Sequence, residues 1–122
     1  MDAETRIQEI KDLVREFRDA RDWQKYNDPK SVAEALSIEA GELLECFLWK
    51  EKPDIAERFK NDPVFREHVA EELADVLIYA IHMANETGID MAAAVRDKIA
   101  KNEAKYPVAA WKGIPTKNIG AN

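Results

Sequence analysis

Two Asp-Pro dipeptides, each followed by a stretch of regularly spaced apolar residues, constrain the fold more than any other feature of this sequence. Asp28-Pro29 and Asp62-Pro63 each place a capping side chain before a proline that fits the first turn of a helix. Further along the chain, Gly88 is suited to ending a helix. Between these signals the apolar residues recur at three- and four-residue steps, which is the spacing of one helix face. The pattern therefore predicts a chain made mostly of helices.

Four long helices are expected, at about 5–21, 29–49, 63–86 and 90–105. Residues 53–61 are predicted to form a short helical turn in a connecting loop, and residues 108–122 mix Gly, Pro, Lys and Asn without period. We therefore expect an all-α fold, a four-helix bundle forming one domain over residues 1–107 with an extended tail over 108–122.

Composition narrows the class of protein. With 46% hydrophobic and 34% charged residues but only 4 Gly and 5 Pro, a folded helical domain is favoured. The formal net charge of -6 argues against a protein that holds long nucleic acid. The single cysteine, Cys46, cannot form an internal disulfide and is predicted to be a small core residue in a reducing compartment. Lacking a signal peptide or a membrane-spanning stretch, the protein is expected to be cytoplasmic.

Two of the predicted helices carry acidic pairs three residues apart: Glu39 with Glu42, and Glu72 with Asp75. Each pair lies on one helix face, one turn apart. Such pairs also occur on solvated faces of acidic proteins. The apolar run 76–81 after Asp75, however, predicts a stretch of helix buried all round, so that Asp75 would face protein.

If these two helices pack side by side, four carboxylates converge. Two carboxylates about 4 Å apart repel by roughly 4 kcal/mol at an effective dielectric near 20. Such a cluster must be protonated, paired with basic side chains or neutralised by cations, and basic residues are scarce in both stretches. Oxygen ligands favour Mg²⁺, or alternatively Mn²⁺. A di-iron bundle would need a glutamate three residues before each histidine, but Phe65 precedes His68 and Tyr79 precedes His82.

Other residues could serve the rest of a nucleotide. Lys98, Asn102 and Lys105 form a polar stripe suited to phosphate, although an exposed face would look the same. Trp23 and Trp49 could stack on a base or simply pack in the core. The remaining aromatic candidates, Phe17 and Phe47, are assigned to the core.

The acidic segments EAGELLE at 39–45 and EELADVLIY at 71–79 resemble the paired motifs of MazG-like pyrophosphohydrolases, the all-alpha nucleoside triphosphate pyrophosphatases. The resemblance is to their dCTP pyrophosphatase branch in particular and covers about 7–107. It includes three flanking segments, RDW at 21–23, FLWK at 47–50 and KIAKNEAKYP at 98–107.

The resemblance implies hydrolysis of dCTP or a modified dCTP between the α and β phosphates, giving a monophosphate and pyrophosphate in nucleotide-pool house-cleaning. It also implies a homotetramer with sites formed across subunits. The implied site residues are the Mg²⁺ ligands Glu39, Glu42, Glu72 and Asp75, the base contacts Trp23, Trp49 and Tyr79, and the phosphate or sugar contacts Lys98 and Asn102.

Some alternatives stay open. Val14 stands where the mammalian-type enzymes carry a histidine, which leaves the base preference undecided. A dUTP or phosphoribosyl-ATP pyrophosphohydrolase would use the same metal chemistry. A helical interaction module without enzymatic activity would merely solvate its acids. If the protein is an enzyme, Glu39 or Glu42 is the expected proton acceptor.

Overall fold

The computed structural model describes residues 1–115, and every regular element in that range is helical. The predicted all-α class is therefore confirmed. The helices are α1 (Ile7–Asp19), α2 (Pro29–Glu45), α3 (Lys52–Asn61), α4 (Pro63–Thr87), α5 (Met91–Lys105) and α6 (Val108–Trp111), with a 3₁₀ turn at Gln24–Tyr26 before α2.

The predicted capping residues begin and end these helices. Gly88 ends α4 in the left-handed conformation, with φ of 71°, which glycine adopts at little cost. Three aspartates act as N-caps, and each accepts a hydrogen bond from the backbone N–H three residues on: Asp28 from Ser31 at 3.0 Å, Asp62 from Phe65 at 3.0 Å and Asp90 from Ala93 at 2.9 Å.

The short helix predicted between the second and third long helices is confirmed as α3. One boundary was wrong, because α2 ends at Glu45 and the segment up to Trp49 is a series of turns. The predicted tail begins with one short helix, α6, in which the Trp111 ring packs edge-on against Tyr106 at 4.9 Å between centroids. The remainder of the predicted tail, residues 116–122, lies outside the described residues.

Helix α4 organises the unit formed by Met1–Ile89, since α1, α2 and α3 all pack against it. Its apolar core is formed by Val14, Val32, Cys46, Phe65, Ile81 and Ala84. The predicted core position of Cys46 is confirmed. Phe47 also packs as predicted, with ring centroids 6.1 Å from Phe65 and 6.3 Å from Phe59. A second compact unit begins at Asp90 and contains α5 and α6, and the single domain over 1–107 stays a prediction.

Two predictions about burial were wrong. Leu73 and Leu77 on α4 are about half exposed, so this stretch is not buried all round. Phe17 was assigned to the core, yet 53% of it is exposed. Helical periodicity identifies an apolar face, but it does not determine whether another element covers that face. Within residues 1–115, none of the helices combines the length and the apolar character needed to cross a membrane.

Candidate functional site

Three of the four predicted acids lie together where α2 packs against α4. Glu39 projects from α2, and Glu72 and Asp75 project from adjacent turns of α4. One carboxylate oxygen from each of the three lies within 4.8 Å of the others. We call Glu39, Glu72 and Asp75 the carboxylate cluster. Their spacing suits a single shared cation, and their role as ligands stays a prediction.

The fourth acid, Glu42, lies beside this cluster and is exposed. Its carboxylate hydrogen-bonds the carboxyl group of Glu39, one turn earlier on α2, and this bond favours protonated Glu39. With burial and the negative charges of the cluster adding to the effect, the pKa of Glu39 is raised to about 7 from an ordinary 4.5. The repulsion expected from converging acids is therefore present.

The cluster also contains oxygens that lack a hydrogen-bond donor. Among the described residues, Glu39 Oε2 and Glu72 Oε2 are buried with no hydrogen-bond partner. The other oxygen of Glu72 lies 3.8 Å from Nδ1 of His68, a half-exposed residue. Because buried carboxylate oxygens without partners are unfavourable, the site fits a hard cation with oxygen ligands.

A cleft of about 520 Å³ opens beside the carboxylate cluster, within the unit formed by Met1–Ile89. Two acids of the carboxylate cluster, Glu39 and Asp75, belong to its lining. The aromatic part of its wall includes Phe17 and Trp23, whose rings pack edge-on at 6.0 Å between centroids. Its full lining is Leu13, Val14, Phe17, Arg18, Trp23, Asn27, Glu39, Asp75, Ile78, Tyr79 and His82. A flat apolar ring could lie between these walls with an anionic group near the acids.

Three polar residues that were not predicted to contact a substrate also line the cleft: Arg18, Asn27 and His82. Arg18 Nη1 lies 2.5 Å from Glu86 Oε1, and the same guanidinium contacts Asp19 at 2.9 Å. His82 Nδ1 lies 3.0 Å from Asn27 Nδ2. Burial, and then the positive charge of Arg18, lower the pKa of His82, so the ring is neutral near pH 7.

A sequence signal could have found this polar end. Asp75, Tyr79, His82 and Glu86 recur at steps of four, three and four, which places them on one face of α4.

Some of the residues predicted to contact the substrate line the cleft and others do not. Trp23 and Tyr79 both line the cleft. Trp49 is fully exposed and lies outside the cleft lining. Lys98 and Asn102 belong to α5 in the second unit, where Lys98 is exposed and Asn102 is partly buried. A contact of Trp49, Lys98 or Asn102 with a substrate stays a prediction.

Comparisons with known proteins identify the family of the chain. A family model described as MazG-like matches residues 35–118. The chain is 35% identical over 114 residues to dCTP pyrophosphatase 1 of Rattus norvegicus, covering 93% of this chain and 66% of the relative. It is 36% identical over 104 residues to the Homo sapiens protein of the same name, covering 85% and 61%. The chain thus spans just under two thirds of the rat protein's length.

A solved structure is also similar. The crystal structure of a pyrophosphatase from Archaeoglobus fulgidus superimposes with a TM-score of 0.75 at 42% sequence identity. The match covers 83% of this chain and 92% of that one.

Proposed function

Because the chain belongs to the MazG-like family, we propose that it is a nucleoside triphosphate pyrophosphohydrolase that requires Mg²⁺, with Mn²⁺ as a substitute. The observation that carries this proposal is the carboxylate cluster at one end of an aromatic cleft. One end of the cleft suits the metal-bound phosphates and the rest suits a base. The relatives named dCTP pyrophosphatase 1 favour dCTP, or a modified dCTP, as the substrate.

The cation would be held by Glu39, Glu72 and Asp75, with Glu42 within reach of the same site through its contact with Glu39. When bound, Mg²⁺ supplies positive charge that neutralises phosphate oxygens and lowers the pKa of coordinated water. Two buried carboxylate oxygens without partners, on Glu39 and Glu72, support this assignment.

The acidic side chains of α2 also supply the proton acceptor. Glu39 and Glu42 lie one turn apart on α2 and share a hydrogen bond beside the proposed cation site, so either carboxylate would lie next to the attacking water. As water attacks, its oxygen bonds to phosphorus and its proton passes to one of these carboxylates. The bond joining the α phosphate to the β phosphate breaks, and pyrophosphate leaves with the bonding electrons. No covalent enzyme intermediate is required.

The aromatic walls would hold the base. Trp23 and Tyr79 line the cleft beside the acids, and stacking on a base contributes about 1 to 3 kcal/mol. Trp49 is proposed to contact the base as well, and Lys98 and Asn102 are proposed to contact the phosphates or the sugar.

We further propose a homo-oligomer, a tetramer by analogy with the family resemblance, acting on free nucleotides in the cytoplasm. The large apolar side chains exposed on α2, α4 and the turn after α2 support an assembly, because monomers rarely leave so many uncovered. They include Ile38, Leu44, Trp49, Leu73 and Leu77.

A substrate panel tests the proposal. The purified protein is incubated with dCTP, 5-methyl-dCTP, dUTP, dTTP, dATP, dGTP and phosphoribosyl-ATP in Mg²⁺, and the products are separated. We expect monophosphate and pyrophosphate in equal amounts, fastest from a cytosine nucleotide, and no products in EDTA. Release of orthophosphate would contradict the predicted bond cleavage. An absence of any hydrolysis, together with no Mg²⁺-dependent thermal shift, would instead support an interaction module.

Val14 lines the cleft, and its side chain offers no hydrogen bond that would select one base. The panel therefore also measures which base is preferred. A clear preference for dUTP or phosphoribosyl-ATP would keep the metal chemistry and replace the proposed substrate.

A further inference from the structure

We propose that His82 and Asn27 form a specificity subsite that hydrogen-bonds the polar edge of the nucleobase. This inference rests on the proposed function, because it assigns the base end of the same cleft. The carboxylate cluster and the aromatic walls account for the phosphate end and the ring faces, but they leave the polar end of the cleft without a role.

The position of His82 along α4 suits this role. Asp75 and His82 lie seven residues apart on one helix face, which corresponds to about 10 Å along the axis at 1.5 Å per residue. That separation is comparable with the reach of a nucleotide from its phosphates to the far edge of its base. Tyr79 lies between them on the same face and lines the same cleft. A ligand whose phosphates lie near Asp75 would therefore present its base near His82.

The aromatic residues orient the base. Phe17 and Trp23 both line the cleft and are about half exposed. The Arg21 guanidinium lies over the Phe17 ring, 3.7 Å from its centroid, but 5.9 Å from the centroid of Trp23, so the indole of Trp23 is the ring surface offered to a base. A base stacked against the indole keeps its polar atoms in its own plane. Those atoms then point along the cleft, toward the polar end.

The hydrogen bond between Asn27 and His82 defines what this end offers. The Asn27 amide N–H donates to His82 Nδ1, so the neutral ring carries its proton on Nε2. No described residue hydrogen-bonds Nε2, so this N–H remains available as a donor, and the side-chain oxygen of Asn27 can act as an acceptor. The pair thus offers one donor and one acceptor, which matches the adjacent acceptor and donor on the edge of a base.

Arg18 is less suited to reading the base, although it lines the same end. Its guanidinium is already held by Glu86 at 2.5 Å and by Asp19 at 2.9 Å. Its charge instead helps keep His82 neutral, which preserves the single donor on Nε2.

The test compares base preference in wild type, H82F and N27A. Phenylalanine keeps the size and the ring of His82 while removing both nitrogens. For the preferred nucleotide we expect kcat/KM to fall about tenfold in each variant, the effect of one lost hydrogen bond. Most of the change should appear in KM, because binding is lost without changing the chemical step. The kcat/KM values for the other nucleotides should change less, so the ratio of kcat/KM between the preferred nucleotide and the others should fall. The control is N61A, which changes an exposed asparagine at the end of α3 whose amide donates a hydrogen bond to Glu57.

The outcomes separate this inference from the proposed function. If wild type hydrolyses no nucleoside triphosphate, the proposed function fails. If wild type is active but both folded variants keep its base preference and KM, the subsite is wrong and the hydrolase remains. A fall in kcat alone, with preference unchanged, would also overturn the inference. Should H82F fail to fold, N27A still provides the test, because Asn27 is only partly buried and the lost contact is at its side chain.

Discussion

The middle and the C-terminal end of α4 present carboxylates in opposite circumstances. Near the C-terminal end, Glu86 lies 2.5 Å from the guanidinium of Arg18, so its charge is neutralised within the chain. Near the middle, Glu72 lies in a cluster of acids and keeps one buried oxygen with no hydrogen-bond partner among the described residues. The same residue type thus stabilises the fold in one place. In the other it adds to a repulsion that the proposed cation would relieve.

The largest expected effect comes from a change in the carboxylate cluster. D75N should reduce turnover by more than about 100-fold, because it weakens the hold on the charge that stabilises the phosphates. The thermal midpoint in EDTA should stay the same or rise, because one repelling charge is gone. Pyrophosphate release and thermal unfolding measure the two effects.

The matched control for this change is D54N, an exposed aspartate in the first turn of α3. It removes the same charge away from the cluster and should keep wild-type turnover. Wild-type activity in D75N would remove Asp75 from the site.

Breaking the ion pair between Arg18 and Glu86 should have the next largest effect, this time on stability. R18M leaves Glu86 without its partner and should lower the free energy of unfolding by about 2 kcal/mol, the usual range for a hydrogen bond to a charged group. The midpoint of urea unfolding measures it. Adding E86Q to R18M should recover part of the loss, because the unpaired charge is then removed.

The exposed ion pair of Lys25 and Asp22, 3.2 Å apart, provides the comparison. K25A should change stability by no more than about 0.5 kcal/mol. If R18M lowered the free energy of unfolding as little as K25A, the ion pair of Arg18 and Glu86 would not stabilise the fold as described.

The smallest expected effect is a dependence of stability on pH. The pKa of Glu39 is about 7 in the folded protein and near the ordinary 4.5 in the unfolded chain, so between these values the folded state binds the additional proton. The stability contributed by that proton is present below pH 4.5 and is lost as the pH rises through 7. In EDTA the thermal midpoint should therefore fall over this range.

Mg²⁺ should oppose this trend, with a larger thermal shift at pH 8 than at pH 6, because the cation and the proton compete for the same carboxylates. E39Q removes the titrating group, so its midpoint should vary less over the same range. Equal pH profiles for wild type and E39Q would assign the effect to another group.

Local chemistry explains why the starts of α2, α4 and α5 and the end of α4 could be predicted from the sequence. An aspartate N-cap satisfies a backbone N–H only three residues away, as Asp62 does for Phe65, and Gly88 adopts its conformation without help from distant residues. The acidic pairs could be predicted equally well, because residues three apart on a helix share a face regardless of how the helix packs.

Features that depend on distant residues were missed. The contact of Arg18 with Glu86 joins residues 68 positions apart, and that of Asn27 with His82 joins residues 55 apart, so no local pattern pairs them. The exposure of Phe17 was missed for a related reason, because its apolar face borders a cleft and the spacing of α1 is the same whether that face is covered or open.

The position of Trp23 gives the protein an intrinsic optical reporter. Its half-exposed indole forms part of the cleft wall against Phe17, so a ring that stacks there changes the polarity around the fluorophore. The other two tryptophans are elsewhere, Trp49 in full contact with solvent and Trp111 against Tyr106. With those two replaced by phenylalanine, the emission of a single side chain follows occupancy of the cleft in real time, without any label.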